Sequence, residues 1–169
     1  FAHALVRATL YDGLSSLRRA RLHSRVGETI LARHQDDLDP WLPQLARHFG
    51  RAAAVEGPAR AIDFALAAGR RADRLLAWEE AAQHYRGALR ARQPTRRDQT
   101  GAELLLALGA SEERAGLEGA RGSFEEALAV ARELGDPALV ARAALGMAGP
   151  WSTLGREDPE VLGVLEEAL

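Results

Sequence analysis

Residues 65–94 read ALAAGRRADRLLAWEEAAQHYRGALRARQP, and a similar order of residues returns at 105–137, which read LLALGASEERAGLEGARGSFEEALAVARELGDP. Each stretch opens with small residues around a glycine, Gly69 or Gly109. Each continues with an alanine, an aromatic residue four positions later (Tyr85 or Phe124), and then Ala-Leu. A third, weaker copy has Gly146 and carries Leu165 at the aromatic position. This pattern predicts pairs of helices that cross closely at the glycines, with the large residues filling the space beside them.

The order of small, aromatic and proline residues resembles the tetratricopeptide pattern W-x2-L-G-x2-Y, A-x3-F, P. The copies are spaced more widely than the roughly 34 residues of a strict tetratricopeptide, so we expect longer helices or turns. The sequence therefore predicts an all-α fold in which antiparallel helix pairs stack as a tetratricopeptide-like solenoid. We expect roughly eight or nine helices and no sheet, with Gly69 and Gly109 at the crossings. A repeat pattern predicts a fold and a style of binding, not a ligand.

The composition excludes several classes of function. The chain has no cysteine, which removes disulfides, thiolate metal sites and cysteine nucleophiles and favours a cytoplasmic location. It has no lysine either, because all 22 cationic residues are arginine, so it cannot supply a phosphate-loop lysine or a Schiff base. No apolar run approaches the roughly 18 residues of a membrane span, so we expect no membrane contact.

The charge is distributed unevenly along the chain. Residues 1–97 hold 17 arginines and 10 acidic residues, whereas residues 98–169 hold 5 arginines and 14 acidic residues. A basic half is compatible with nucleic-acid binding, with an acidic neighbouring domain, or with ordinary solvated helix faces. The last reading is favoured, and direct nucleic-acid contact is not expected.

The pattern divides the chain into a helical segment at residues 1–54 and repeats at 55–169. In the first segment apolar residues recur every four positions and predict inward-facing stripes, Leu22, Val26 and Ile30 in one helix and Trp41, Leu45 and Phe49 in another. Asp39 is expected to cap the second of these helices, with Pro40 in its first turn. The last repeat stops at Leu169 with its apolar stripe of Val161, Leu165 and Leu169 unfinished. We therefore expect a chain cut from a longer protein, whose end frays or pairs with another copy.

Two stretches of the first segment together resemble one family. Phe1-x-His3-x-Leu5-Val6-Arg7-x2-Leu10-Tyr11, followed by Leu17-Arg18-Arg19-Ala20-Arg21-Leu22-His23-x2-Val26-Gly27-Glu28, is similar to the join between the ATPase core and the helical repeats of STAND-class signalling ATPases. These include the large LuxR-type bacterial transcriptional regulators. Leu45-Ala46-Arg47-His48-Phe49 and Ala67-Ala68-Gly69 are similar to the helices that follow in that family.

The resemblance implies a non-catalytic regulatory module within a larger protein. An upstream domain would bind ATP or ADP, while this part would hold no cofactor of its own. The repeats would sense a protein, peptide or small-molecule inducer, contact the neighbouring ATPase domain and control an output domain such as a DNA-binding transcription activator. The resemblance also gives His3 a role in nucleotide sensing. It would begin a helix of the winged-helix region and touch the phosphates of bound ADP in the full-length protein.

The candidate partner-binding residues are charged side chains on the first helices of successive repeats, where an inner face should form. They are Arg70, Arg71, Arg74, Glu112 and Glu113. The pair Glu80 and His84, one helical turn apart, lacks the third ligand that a metal site needs, so no metal is expected. No serine stands in a G-x-S-x-G motif, and no enzymatic activity is expected.

Two other readings stay open. The chain could be a free-standing tetratricopeptide-like scaffold that binds a peptide in its groove. A G-x4-G-K-[ST] loop upstream of Phe1 would distinguish the ATPase module from that scaffold. A nucleic-acid binder using the arginine-rich half would instead show steeply salt-dependent binding to DNA.

Overall fold

The computed structural model describes residues 6, 9–92, 97–149 and 159–167, and this part of the chain is helical with no strand. A short helical stretch at residues 9–12 precedes the helices that we number here. The helices are α1 (Ser16–Arg33), α2 (Leu42–Glu56), α3 (Ala59–Arg74), α4 (Trp78–Ala91), α5 (Gln99–Arg114), α6 (Ala120–Leu134), α7 (Pro137–Ala148) and α8 (Pro159–Glu167), with a 3-10 turn at Asp39–Trp41 before α2. The predicted all-α class is confirmed for these residues.

Three of the described helices, α1, α5 and α7, begin where a side chain satisfies free backbone N–H groups. Ser15 accepts a hydrogen bond from the N–H of Arg18 at the start of α1, and Asp98 accepts one from Gly101 at the start of α5. Asp136 accepts from both Ala138 and Leu139 and is followed by Pro137 in the first turn of α7. These are the residue types that cap helices most effectively, so the boundaries follow from local chemistry.

Each helix from α1 to α8 packs against the next one in sequence, and contacts also join α2 to α4 and α5 to α7. The predicted stripe in α2 is confirmed, because Leu45 and Phe49 are fully buried and Trp41 packs beside them. Phe49 stacks on Phe64 with their ring centroids 5.0 Å apart, which joins α2 to α3. The helices on either side of residue 54 are therefore in direct contact.

A glycine faces an aromatic ring in three successive helix pairs. An added Cβ would come within 2.7 Å of the Phe49 ring at Gly27, 2.6 Å of Tyr85 at Gly69, and 2.9 Å of Phe124 at Gly109. Real Cβ atoms do not approach so closely, which means that each ring occupies space left by a missing side chain. The prediction that Gly69 and Gly109 lie where helices cross is confirmed.

The turns after α3 and α5 repeat the same hydrogen bonds. Leu76 N–H donates to the carbonyl of Asp73 in the first turn, and Gly116 N–H donates to that of Glu113 in the second. The residues that follow, Ala77 and Leu117, donate back to the fifth residue before them. Both Leu76 and Gly116 adopt positive φ, 57° and 67° respectively. The turns that join α3 to α4 and α5 to α6 therefore share one backbone conformation and hydrogen-bond pattern.

The third copy differs from this pattern. Gly146 of α7 packs against Phe124, the ring that also fills the space at Gly109, so Phe124 lies between two glycines of different helices. Leu145 beside it is 61% exposed. In α8 the buried residues are Val161 and Val164, which pack against the core of α5–α7. The predicted uncovered stripe is therefore wrong at Val161, and Leu169 lies outside the described residues.

The predicted stripe of α1 is wrong at Leu22 and Val26, whereas Ile30 is buried as predicted. The buried residues of α1 are Ala20, His23, Gly27 and Ile30, whereas Leu22 and Val26 are 46% and 42% exposed. The physical reason is that Gly27 receives the ring of Phe49, which rotates this face of the helix toward α2. None of the described helices combines the length and apolar character needed to cross a membrane.

Candidate functional site

An open groove of about 910 Å³ lies between α2 and α4. Its base consists of buried alanines, Ala46 from α2 and Ala61 and Ala65 from α3. Its sides carry Gly50 on α2 and Gly87 on α4. We call it the α2–α4 groove. Because the base and part of the walls are small residues, the space remains open although the helices are in contact.

Arginines line both walls of the α2–α4 groove. Arg47 and Arg51 lie one turn apart on α2, and Arg86 and Arg90 lie one turn apart on α4. Residues four apart share a helix face, so each pair points toward the same space. Arg47, Arg51 and Arg90 are exposed, and among the described residues Arg47 and Arg90 form no ion pair. The groove therefore carries concentrated positive charge.

Arg86 is neutralised within the protein. Its Nη2 lies 2.6 Å from Oε1 of Glu112, whose side chain is buried, and the Ser123 hydroxyl donates to the other carboxylate oxygen at 2.6 Å. This arrangement ties α4, α5 and α6 together. Among the described residues that line the groove, Glu80 supplies the one carboxylate beside the remaining three arginines.

Glu80 and His84, considered from the sequence as a metal pair, do lie together at the edge of the groove. Their closest atoms, Oε1 of Glu80 and Nε2 of His84, are 3.5 Å apart. That nitrogen is buried and has no hydrogen-bond partner among the described residues. No group of three potential metal ligands occurs in the part of the chain that the structure describes.

A chain of hydrogen bonds lies behind the α2 wall. Nδ1 of His23 is 2.9 Å from Nδ1 of His48, and Nε2 of His23 is 2.9 Å from the hydroxyl of Tyr11. Arg51 donates to the same hydroxyl at 3.2 Å. Burial lowers the pKa of both histidines, and the nearby charges of Arg47 and Arg51 lower them further. This series of hydrogen bonds connects residues 9–12 with α1 and α2.

Two of the predicted partner-binding arginines form ion pairs within the protein. Arg71 Nε and Arg74 Nη2 both reach the carboxylate of Asp39, at 2.9 Å and 2.6 Å. Asp39 was expected to cap a helix, but its side chain makes no capping hydrogen bond and pairs with these arginines instead. The capping prediction is therefore wrong, and the residue connects the turn before α2 to the end of α3.

The predicted exposure of Glu112 is also wrong. The residue is only 2% exposed, because its carboxylate is enclosed by Arg86 and Ser123. Its neighbour Glu113 is partly exposed. A single helix position thus separates a buried structural carboxylate from one that solvent reaches.

Arg70 remains available on the predicted face. It lines a second, smaller groove of about 180 Å³ formed by α3, α5 and α7, where Glu103 and Arg142 also contribute. These three helices are the first helices of successive predicted repeats. Arg70 is therefore brought beside charges of both signs, and this groove lacks the one-sided charge of the α2–α4 groove. His3 lies outside the described residues.

The sequence reading missed Arg47, Arg51 and Arg90 as candidate binding residues. One signal was present: arginines spaced four apart in two different helices, each pair accompanied by a glycine within the helix, Gly50 or Gly87. The sequence did not predict that α2 packs beside α4, and this packing places the two arginine pairs on opposite walls of one groove. Comparisons with protein-family models, with curated proteins and with solved structures found no match.

Proposed function

We propose that the chain is a non-catalytic regulatory and protein-interaction module of a larger signalling ATPase. In this proposal it senses an inducer or partner and controls an output domain, such as a DNA-binding transcription activator, in the cytoplasm. The observation that carries the interaction role is the open α2–α4 groove, where exposed arginines stand above a base of small residues. A surface of this kind is suited to holding a partner.

The repeated hairpins support a tetratricopeptide-like solenoid as the framework. The turns at Leu76 and Gly116 make equivalent hydrogen bonds, and Gly69 and Gly109 each accept an aromatic ring from the following helix. Stacked hairpins of one type expose extended surfaces and place similar positions at regular intervals. Such an architecture favours recognition of a protein, a peptide or a small-molecule inducer.

Exposed apolar residues on the first segment support contact with a neighbouring ATPase domain of the same chain. Leu17, Leu22 and Val26 of α1 are 50%, 46% and 42% exposed. Leu22 and Val26 lie one turn apart and form a short apolar strip. Exposed apolar surface of this kind is typical of sites that another protein surface covers.

The alternative is a free-standing scaffold that binds a peptide in the same groove. The groove serves both readings equally well, so the two are separated by the sequence upstream of Phe1. A G-x4-G-K-[ST] loop there supports the ATPase module, because that loop cradles nucleotide phosphates. Its absence over a domain's length would favour the scaffold.

Nucleotide binding tests the proposal directly. Calorimetry on residues 1–169 should detect no binding of ATP or ADP, whereas the full-length protein should bind ADP. In the full-length protein His3→Ala should loosen ADP and raise the output measured without inducer, because nucleotide and inducer would act on one switch. Micromolar ADP binding by the isolated chain would contradict the assignment. Unchanged ADP retention in the variant would leave His3 a structural residue.

A further inference from the structure

The glycines within the helices fall into two groups. Gly27, Gly69, Gly109 and Gly146 each lie against an aromatic ring, so the fold itself requires them. Gly50, Gly87, Gly122 and Gly163 have open surroundings instead, and of these Gly50 and Gly87 line the α2–α4 groove. A Cβ at Gly50 would meet nothing within 4 Å, and one at Gly87 would meet only the tip of Arg90 at 4.0 Å. Glycine destabilises the middle of a helix relative to alanine, and at Gly50 and Gly87 no packing contact with the described residues offsets that cost.

Both of these glycines line the α2–α4 groove. Gly50 lies in the middle of α2 between Arg47 and Arg51, and Gly87 lies in α4 between Arg86 and Arg90. Open space at two facing positions allows another chain to come close to the helix backbones. The arrangement thus combines two wall positions without side chains and positive charge on both walls.

We propose that the α2–α4 groove binds an acidic peptide segment of a partner protein, with its carboxylates on Arg47, Arg51 and Arg90 and its backbone over Gly50 and Gly87. This inference rests on the proposed role as an interaction module and specifies the partner's chemistry. Arginine is suited to the task because its guanidinium donates two parallel hydrogen bonds to a carboxylate. Mutual repulsion among the three arginines is relieved when carboxylates enter.

The groove fits a peptide better than a nucleic acid. Single-stranded nucleic acid is held largely by bases stacked on aromatic side chains, and the described residues that line the groove include no Phe, Tyr or Trp. A protein that binds nucleic acid through its backbone is usually strongly basic, whereas this chain has a net charge of −2. Alanines at the base, Ala46, Ala61 and Ala65, match the aliphatic stems of glutamate side chains. The charge is therefore local and suited to a short acidic segment.

Fluorescence anisotropy of fluorescein-labelled hexaglutamate tests the charge of the groove. The parent chain should bind the peptide at low salt, and Arg47→Glu/Arg90→Glu should raise the Kd by about tenfold or more. The matched control Arg21→Glu/Arg25→Glu makes the same change of charge on exposed residues of α1 outside the groove and should leave the Kd within about twofold of the parent. Equal losses in both variants would overturn the proposal, because attraction would then be unspecific.

Two further outcomes would also overturn it. One is tighter binding of labelled oligouridylate than of hexaglutamate through the same arginines. The other is self-association, detected by sedimentation, that Arg47→Glu/Arg90→Glu abolishes while hexaglutamate does not bind at all. A nucleic acid or a second copy of the chain would then be the occupant.

The glycines allow a test that separates binding from folding. Gly50→Ala/Gly87→Ala should raise the melting temperature by about 2 °C or more, because alanine favours the helix. The same variant should raise the Kd for hexaglutamate by about threefold or more, because the new methyl groups occupy the groove. Gly122→Ala, at an open position of α6 outside the groove, should raise stability and leave the Kd unchanged. A stabilised double variant with parental affinity would overturn the role of the glycines.

The hexaglutamate test of the α2–α4 groove and the nucleotide test of the ATPase module can fail separately. An upstream sequence without a phosphate loop would refute the ATPase module and leave hexaglutamate binding intact. Conversely, loss of the groove hypothesis through equal effects of the two arginine variants would leave ADP binding by the full-length protein unaffected.

Discussion

The ring of Tyr85 in α4 fills the space that a side chain at Gly69 in α3 would need. The Tyr85 hydroxyl donates a 2.6 Å hydrogen bond to Asp73, which lies one helical turn after Gly69 in α3. Asp73 also accepts a hydrogen bond from Ser111 of α5 at 2.9 Å. One residue therefore fixes both the approach of α3 to α4 and, through Asp73, the position of the next hairpin. Burial, with the Asp73 carboxylate nearby, raises the pKa of Tyr85 and keeps its hydroxyl a donor.

Replacing Gly69 or Gly109 by leucine should destabilise the fold by about 1–3 kcal/mol, because the new side chain would overlap the ring of Tyr85 or Phe124. Urea unfolding followed by circular dichroism measures the change. Gly122→Leu is the matched control, since a Cβ there meets nothing within 4 Å. Equal stability of the Gly69→Leu variant and its parent would contradict the proposed close crossing.

The equivalent turn residues Leu76 and Gly116 should respond in opposite directions. Leu76→Gly should stabilise the protein or leave it unchanged, because leucine at φ 57° costs about 1 kcal/mol and its side chain is 68% exposed. Gly116→Leu places that strain in the second hairpin and should destabilise it by a similar amount. Thermal melting of both variants provides the comparison. Destabilisation by Leu76→Gly would show that the leucine makes a contact that outweighs its backbone strain.

The helical class and the glycine crossings could be predicted because both depend on local spacing. Gly69 lies in α3 and Tyr85 in α4, and a single short inter-helix turn joins the two helices. A sequence pattern over this one pair of helices therefore describes their contact. The orientation of α1 could not be predicted in this way, since Leu22 and Val26 form as regular a stripe as the buried His23 and Gly27. The face of α1 that is buried is set by its contact with Phe49 of α2. Helix orientation depended on a contact between residues 22 positions apart.

The same limit applies to the candidate site. The α2–α4 groove exists because α2 and α4, separated in sequence by the whole of α3, approach one another. A reading of single helices could therefore count Arg47 and Arg90 as exposed charges but could not place them on facing walls. Glu112 shows the converse, because nothing in the run Glu112-Glu113 indicates which carboxylate turns inward.

Glu112 and Glu113 offer a direct comparison of buried and exposed carboxylates. Glu112→Ala should destabilise the protein by about 2–3 kcal/mol, since it leaves Ser123 and Arg86 without their partner and opens a space beside them. Glu113→Ala should cost less than about 0.5 kcal/mol, as surface substitutions usually do. Denaturant unfolding of the two variants measures the difference. Equal effects would mean that Glu112 is not held as the structure places it.

Stability should also fall as the solution becomes mildly acidic. The hydrogen bond between the two Nδ1 atoms of His23 and His48 needs one imidazole as donor and the other as acceptor, so it is lost when both rings are charged. Burial and the neighbouring Arg47 and Arg51 hold both pKa values below the ordinary 6.5. The unfolded chain therefore takes up protons near pH 6.5 that the folded protein takes up only at lower pH. By linkage, the stabilisation is complete above pH 6.5 and declines as the pH falls toward the folded pKa values.

The decline should approach, at most, about 1.4 kcal/mol per pH unit for each of the two imidazoles. Urea unfolding at pH 7.5, 6.5 and 5.5 measures it in a range above the titration of ordinary carboxylates. His48→Gln should flatten the dependence, because one titrating ring and its partner's acceptor are removed together. His34→Gln is the control, since His34 stacks on Trp41 and takes no part in the pair, and it should keep the parental slope. A free energy of unfolding that is the same at pH 7.5 and 5.5 in the parent would show that the two histidines carry the same charge in the folded and unfolded states.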